Sequence, residues 1–129
     1  MPRVFLANDH PTERSALRLF LIDLQMQIVG EAEDWLSTLA QAPAITPAIL
    51  LVAFSLLPNE PSLALQELRL ACPTAMVVVL LCDLDTRRQA ALSSGVDYFI
   101  SKWDRPVKVA EQLMIAAASV DTQTPIDKH

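Results

Sequence analysis

The residues able to do chemistry gather where apolar runs end. Asn8-Asp9-His10 follows one such run, Ser101-Lys102 follows another, and Ser55 interrupts the longest. In an open α/β sheet those junctions are the carboxyl ends of strands, where ligands and reactions sit. The longest run, Pro47 to Pro58, holds only one polar residue between Ala48 and Leu57. Its end, Val52-Ala53-Phe54-Ser55, offers a methyl group and a phenyl ring where a catalytic strand would offer a carboxylate. His10 has no Ser or Cys nucleophile paired with it and reads as a residue at a helix start. The only glycines are Gly30 and Gly95, so no glycine-rich phosphate loop exists, and no nucleophile elbow occurs. Cys72 and Cys82 lack metal spacing and form no Cys-x-x-Cys. In their apolar context they read as buried, reduced thiols of a cytosolic protein.

Composition bounds the remaining classes. A chain of 129 residues, 52% hydrophobic and 19% charged, suits one domain with a substantial core rather than disorder. The net charge of -5 argues against direct nucleic-acid contact, which requires a basic face. No apolar run is long enough for a spanning helix, so neither a membrane partner nor a signal segment is expected.

These junctions need elements to hold them. A run as apolar as Ala48 to Leu57 suits the central strand of a parallel sheet covered on both faces. Strands are also expected at Val4 to Ala7, Gln27 to Gly30, Ala75 to Cys82 and Val96 to Ile100. Helical spacing predicts a first helix from Pro11 to Asp23, with Leu17, Phe20, Leu21 and Leu24 inward. A second spans Asp34 to Gln41, with Leu36, Leu39 and Ala40 on one side, and stops before Pro43. In it Trp35 is expected to be partly exposed. A third helix buries Leu65, Leu68 and Cys72 and ends at Pro73. A fourth starts near Asp83 and Asp85 and closes at Ser94-Gly95. The last begins at Pro106 with Val109, Ala110, Leu113, Met114 and Ala117 inward. The alternation predicts a single α/β domain over residues 1–119, a five-stranded parallel doubly wound (flavodoxin-like) sheet with five helices. Residues 120–129 read as a polar tail or linker stub.

In this pattern the chain resembles a response-regulator receiver domain, of the branch usually fused to a LuxR-type helix-turn-helix. The resemblance covers about residues 3–119. It rests on Asn8-Asp9-His10-Pro11, Val29-Gly30-Glu31-Ala32, Pro47, Ser94-Gly95-Val96-Asp97, and Lys102 with Pro106. It implies phosphoryl transfer from a histidine kinase to an Asp ending strand three. It also implies Mg²⁺ held by that Asp and two acidic residues after strand one, a Ser or Thr after strand four, a Lys after strand five, and a switch aromatic on strand five.

The match is partial. The acidic pair is Asn8-Asp9. The acceptor falls at Ala53 by counting from the first strand and Pro47, or at Phe54 by counting back from Pro58. The Ser/Thr position falls at Leu80. Lys102 is retained, and Phe99 matches the switch aromatic. Asp9 with the Asn8 amide is a thin Mg²⁺ site, so no cofactor is expected, with Asp9 a weak metal candidate. Asp9 and Lys102 are expected to be neighbours, as an ion pair or as a half-site for an anion. Trp103 reads as a packed loop aromatic, a pocket cap or a contact residue. Ala116-Ala117-Ala118 suits close helix packing or a dimer face.

The expectation is a cytoplasmic, non-enzymatic pseudo-receiver, acting through protein contacts as a homodimer. A histidine kinase or other regulator is the implied partner, and DNA is reached only through an output domain outside this chain. Two rivals stand beside it. One is a ligand sensor using a pocket of Asp9, Ala53, Phe54, Leu80, Lys102 and Trp103. The other is a phosphoreceiver with Ser55 or Asp9 as acceptor.

Overall fold

The computed structural model describes residues 1–82, 95–102 and 104–123. Five strands form one parallel sheet: β1 Arg3–Ala7, β2 Gln27–Ala32, β3 Ile49–Ala53, β4 Val77–Cys82 and β5 Tyr98–Ser101. Their order is β2-β1-β3-β4-β5. The reversal lies between β1 and β3, so their carboxyl ends flank the crevice where doubly wound sheets place ligands. Four α-helices are described: α1 Pro11–Asp23, α2 Trp35–Ile45, α3 Pro61–Ala71 and α4 Pro106–Gln123. The helix expected between Asp83 and Ser94 lies outside the described residues. Gly95, placed at its C-cap, has φ +85, the left-handed geometry such a cap requires.

The period of two along each strand sorts the core into two layers. Val4, Leu6, Ile49, Leu51, Val77 and Val79 pack with Leu21 of α1 and Leu113, Ala116 and Ala117 of α4. Phe5, Leu50, Val52, Val78 and Leu80 pack on the other side with Trp35 and Ala42 of α2 and Leu65 and Leu68 of α3. Every residue of β3 and β4 is buried. Both runs were apolar because neither side of either strand meets water.

The structure corrects several expectations. The apolar run after Pro47 is strand only to Ala53, and Phe54–Leu56 forms a 3-10 turn. Helix α2 continues through Pro43 to Ile45. Proline there removes one helical donor, but the helix end is tied down otherwise. Thr46 turns left-handed at φ 52, its N–H reaches the Ala42 carbonyl, and the Arg3 guanidinium donates to the Ile45 and Thr46 carbonyls at 2.8 and 2.7 Å. The buried stripe of α2 includes Trp35, Thr38 and Ala42, while Leu36 is 78% exposed and Ala40 faces solvent. Trp35 belongs to the core at 9% exposure, buried where partial exposure was expected. On α4, Met114 points outward and Ala116 inward. That helix also runs beyond residue 119, with Val120 packed on the core. Its Ala116 and Ala117 close the helix against the sheet.

Candidate functional site at the carboxyl edge of the sheet

Strand β1 delivers Asn8 to the crevice, and Asn8 is fully buried. A buried side-chain amide must find partners for both ends, and this one does. Asn8 Oδ1 accepts the His10 N–H at 2.8 Å. Asn8 Nδ2 donates to Glu13 Oε1 at 2.8 Å. The Asn8 carbonyl accepts from Arg14 at 2.7 Å. The amide thereby fixes the turn from β1 into α1, where Pro11 opens the helix with a preset φ.

Strand β5 delivers Lys102. Its backbone N–H bonds the Cys82 carbonyl at 2.8 Å, and its Nζ lies 3.1 Å from Glu13 Oε2. Glu13 thus bridges Asn8 and Lys102 with its two oxygens. The expected Asp9–Lys102 pair does not form. Asp9 instead accepts the Ser55 hydroxyl at 2.7 Å through Oδ1. The 3-10 turn places Ser55 there, because it turns the chain back toward the β1–α1 junction directly after β3.

Ala53 closes β3 at 2% exposure, and Phe54 begins the turn, partly buried against the α2–α3 side of the core. Leu80 pairs with Val52 and Phe99, one rung below the Ala53–Leu81 pair. It is therefore inside the sheet, and Cys82, two residues on, is the β4 residue level with Ser101 at the edge. Phe99 packs on the same side of the sheet as Leu80. Lys102 borders a groove of about 310 Å³ between α1 and the start of α4, whose apolar wall includes Leu17, Phe20, Leu81 and Val109. Trp103 lies outside the described residues.

Sequence reasoning missed Glu13. The signal was present: it is the acidic residue in the first turn of α1, the nearest carboxylate in sequence to Asn8-Asp9 after Asp9 itself. Ser55 was considered as an acceptor but not as the partner of Asp9.

The chemistry of this set follows from its charges. Glu13 neutralises the Lys102 ammonium. Asp9 is the carboxylate that the β1–α1 loop itself carries, and one of its two oxygens accepts the Ser55 hydroxyl. Mg²⁺ requires near-octahedral oxygen ligands, usually from more than one carboxylate or from phosphate. Asn8, committed at both ends, and Ala53, without a side-chain oxygen, do not supply them. These residues do not fit a resident Mg²⁺. Among the described residues no three His, Cys, Asp or Glu side chains converge as a metal cluster. Cys72 is only partly buried, not enclosed as its apolar context suggested, and desolvation pushes its thiol above the usual range. Among the described residues no helix is long and apolar enough to cross a membrane.

The architecture and the carboxyl-edge crevice define a receiver-domain fold. No family model and no curated protein sequence matches the chain. Solved structures do. The isolated receiver domain of RcsB from Salmonella enterica matches with a TM-score of 0.78 at 18% identity, covering 91% of this chain and 88% of that one. A two-component response regulator of the LuxR family from Aurantimonas matches at 0.77 and 21% identity, covering 92% and 86%. The receiver domain of a sensor histidine kinase from Pseudomonas aeruginosa matches at 0.75 and 16%, covering 93% and 98%, and that protein holds a magnesium ion in its active-site cleft.

Proposed function

We propose that this chain is a receiver-like signalling module that works without phosphoryl transfer, through contacts with other proteins. The observation that carries the reading is the end of β3. Ala53 is buried there with no oxygen to accept a phosphoryl group, while the Lys102 ammonium is held by Glu13. Phosphoryl transfer needs an acceptor oxygen, charge-compensating cations and a positioned metal. In this reading the protein is cytoplasmic, not an enzyme, and forms a homodimer that acts on transcription through an output domain or a separate partner.

Intact mass after incubation with Mg²⁺ and acetyl phosphate tests it. The expected result is no added phosphoryl group. Stoichiometric labelling would refute the reading and direct attention to Ser55 or Asp9 as acceptor. The groove beside Lys102 favours a second reading, a sensor for a small amphipathic ligand. In that case a metabolite set screened by thermal shift raises the unfolding temperature, and a Leu17→Asp variant abolishes the rise.

A further inference from the structure

A second groove lies between α2 and α3. It encloses about 500 Å³. Its walls are Trp35, Leu36 and Leu39 on one side and Leu63 on the other, with Glu60 and Glu67 along the α3 rim. Leu36 and Leu63 are 78% and 57% exposed. Both line the same groove, so they form part of one contiguous apolar patch and are not scattered surface leucines.

The charges around the groove say what would cover it. Helix α2 carries no charged residue over its whole length. Glu60 stands at the N-cap position of α3 without making a side-chain cap. Neither Glu60 nor Glu67 has an ion-pair partner among the described residues. The basic residue of α3, Arg69, is turned away to Gly95, Asp97 and the Met76 carbonyl. The rim is thus of one sign. Glu60 and Glu67 stand seven residues apart, about 10 Å along a helix axis.

We infer that the α2–α3 groove is a docking site for an amphipathic helix of another protein, with an apolar stripe flanked by Lys or Arg spaced about seven residues apart. Such helices seat apolar anchors at i, i+3 or i+4, and i+7 in grooves of this kind, and the basic flanks meet Glu60 and Glu67. The inference goes beyond the proposed function and holds whether or not the carboxyl edge accepts a phosphoryl group.

The test uses the full chain and a labelled synthetic helix of Leu and Lys with that spacing, read by fluorescence anisotropy at physiological salt. A peptide of the same composition with scrambled order is the control. The intended peptide binds at least about tenfold more tightly than the scrambled one. Glu60→Lys with Glu67→Lys weakens it at least about tenfold, and so does Leu36→Asp with Leu63→Asp. All four positions are exposed, and circular dichroism checks that the variants fold. Absence of binding, equal binding of the scrambled peptide, or indifference to both pairs of substitutions overturns the inference. A dimer that Leu36→Asp dissociates also overturns it, by giving the groove to a second copy of the chain.

Discussion

Replacing Gly30 by Ala removes no interaction, yet it is expected to destabilise the fold. A Cβ at Gly30 would stand 2.7 Å from Phe5 Cδ2 and Cε2 and 2.9 Å from Ile45 Cδ1. The Ile45 methyl is the far end of a flexible chain and can swing aside. The Phe5 ring cannot, because it is fully buried and lies opposite Gly30 in the β1–β2 ladder, just after a register shift. Overpacking costs about 1–3 kcal/mol, and a contact of 2.7 Å with a ring that cannot move belongs in the upper half of that range, about 2–3 kcal/mol. The lower backbone entropy of Ala in the unfolded chain returns about 0.5–1 kcal/mol. The net loss is about 1–2.5 kcal/mol. An unfolding entropy of about 2.1 cal/mol/K per residue makes that a fall of about 4–9 °C in Tm for a domain this size. Calorimetry on Gly30→Ala, Phe5→Leu and the double variant provides the assay. With the ring removed, the added methyl costs at least about 0.5 kcal/mol less than it does in the wild type. An unchanged or raised Tm in the single variant, or strict additivity in the double, would refute the steric argument.

Asn8→Asp replaces the amide donor facing Glu13 by a second carboxylate, at the 2.8 Å now spanned by a hydrogen bond. The variant loses stability at pH 7 and regains part of it at pH 5, as one of the pair takes up a proton; Tm measured at both values checks this. Asp34 caps α2 through the Ser37 N–H at 2.7 Å, and that bond holds its carboxyl below the ordinary value of 3.8. A depressed carboxyl contributes stability that is complete above its unfolded value and is lost as pH falls through the lower folded one. Asp34→Asn keeps an acceptor but does not titrate, so its stability falls less steeply below about pH 4, as urea midpoints across that range will record. Lys102→Met keeps the aliphatic stem and removes the ion pair with Glu13, whose side chains are 21% and 27% exposed. Its cost is about 1 kcal/mol or less, read as a shift of the urea midpoint at constant slope; a loss above about 3 kcal/mol would mean that Glu13 is left as an uncompensated buried charge.

The sheet was legible because its strands are buried on both sides. Ile49–Ala53 and Val77–Cys82 could be read from composition alone, and alternation with helices implied that the remaining strands join them in parallel; alternation by itself leaves open the order β2-β1-β3-β4-β5 in which they lie. Helix faces were less legible. Leu36 and Met114 are apolar and fall at helical spacing, yet both face water, since hydrophobicity records neither which neighbour exists nor what covers a surface. Pro43 was read as a stop because the signals that hold the end of α2, Arg3 and Thr46, are respectively remote in sequence and silent in type. At the site, Asn8, Asp9, Ala53 and Lys102 could be placed on the sheet edge from their positions at strand ends. Their pairing could not, because Glu13 reaches Lys102 from a helix face and Ser55 reaches Asp9 through a turn that looked like the continuation of a strand.

The two inner strands have a further consequence, for the time before the fold exists. Until the helices cover them, they are short, uncharged, aliphatic segments of the kind that pair with the same segment in another molecule. Pairing β3 with β1 also waits on closing the long connection through β2 and α2, and such non-local contacts form slowly. Prolines stand at the borders of both segments, Pro47 and Pro58 around β3 and Pro73 ahead of β4. A proline cannot donate to a ladder, so each limits how far an intermolecular strand can grow. The borders that look like mere punctuation of the native elements therefore act earliest on the nascent chain, by keeping its stickiest segments short.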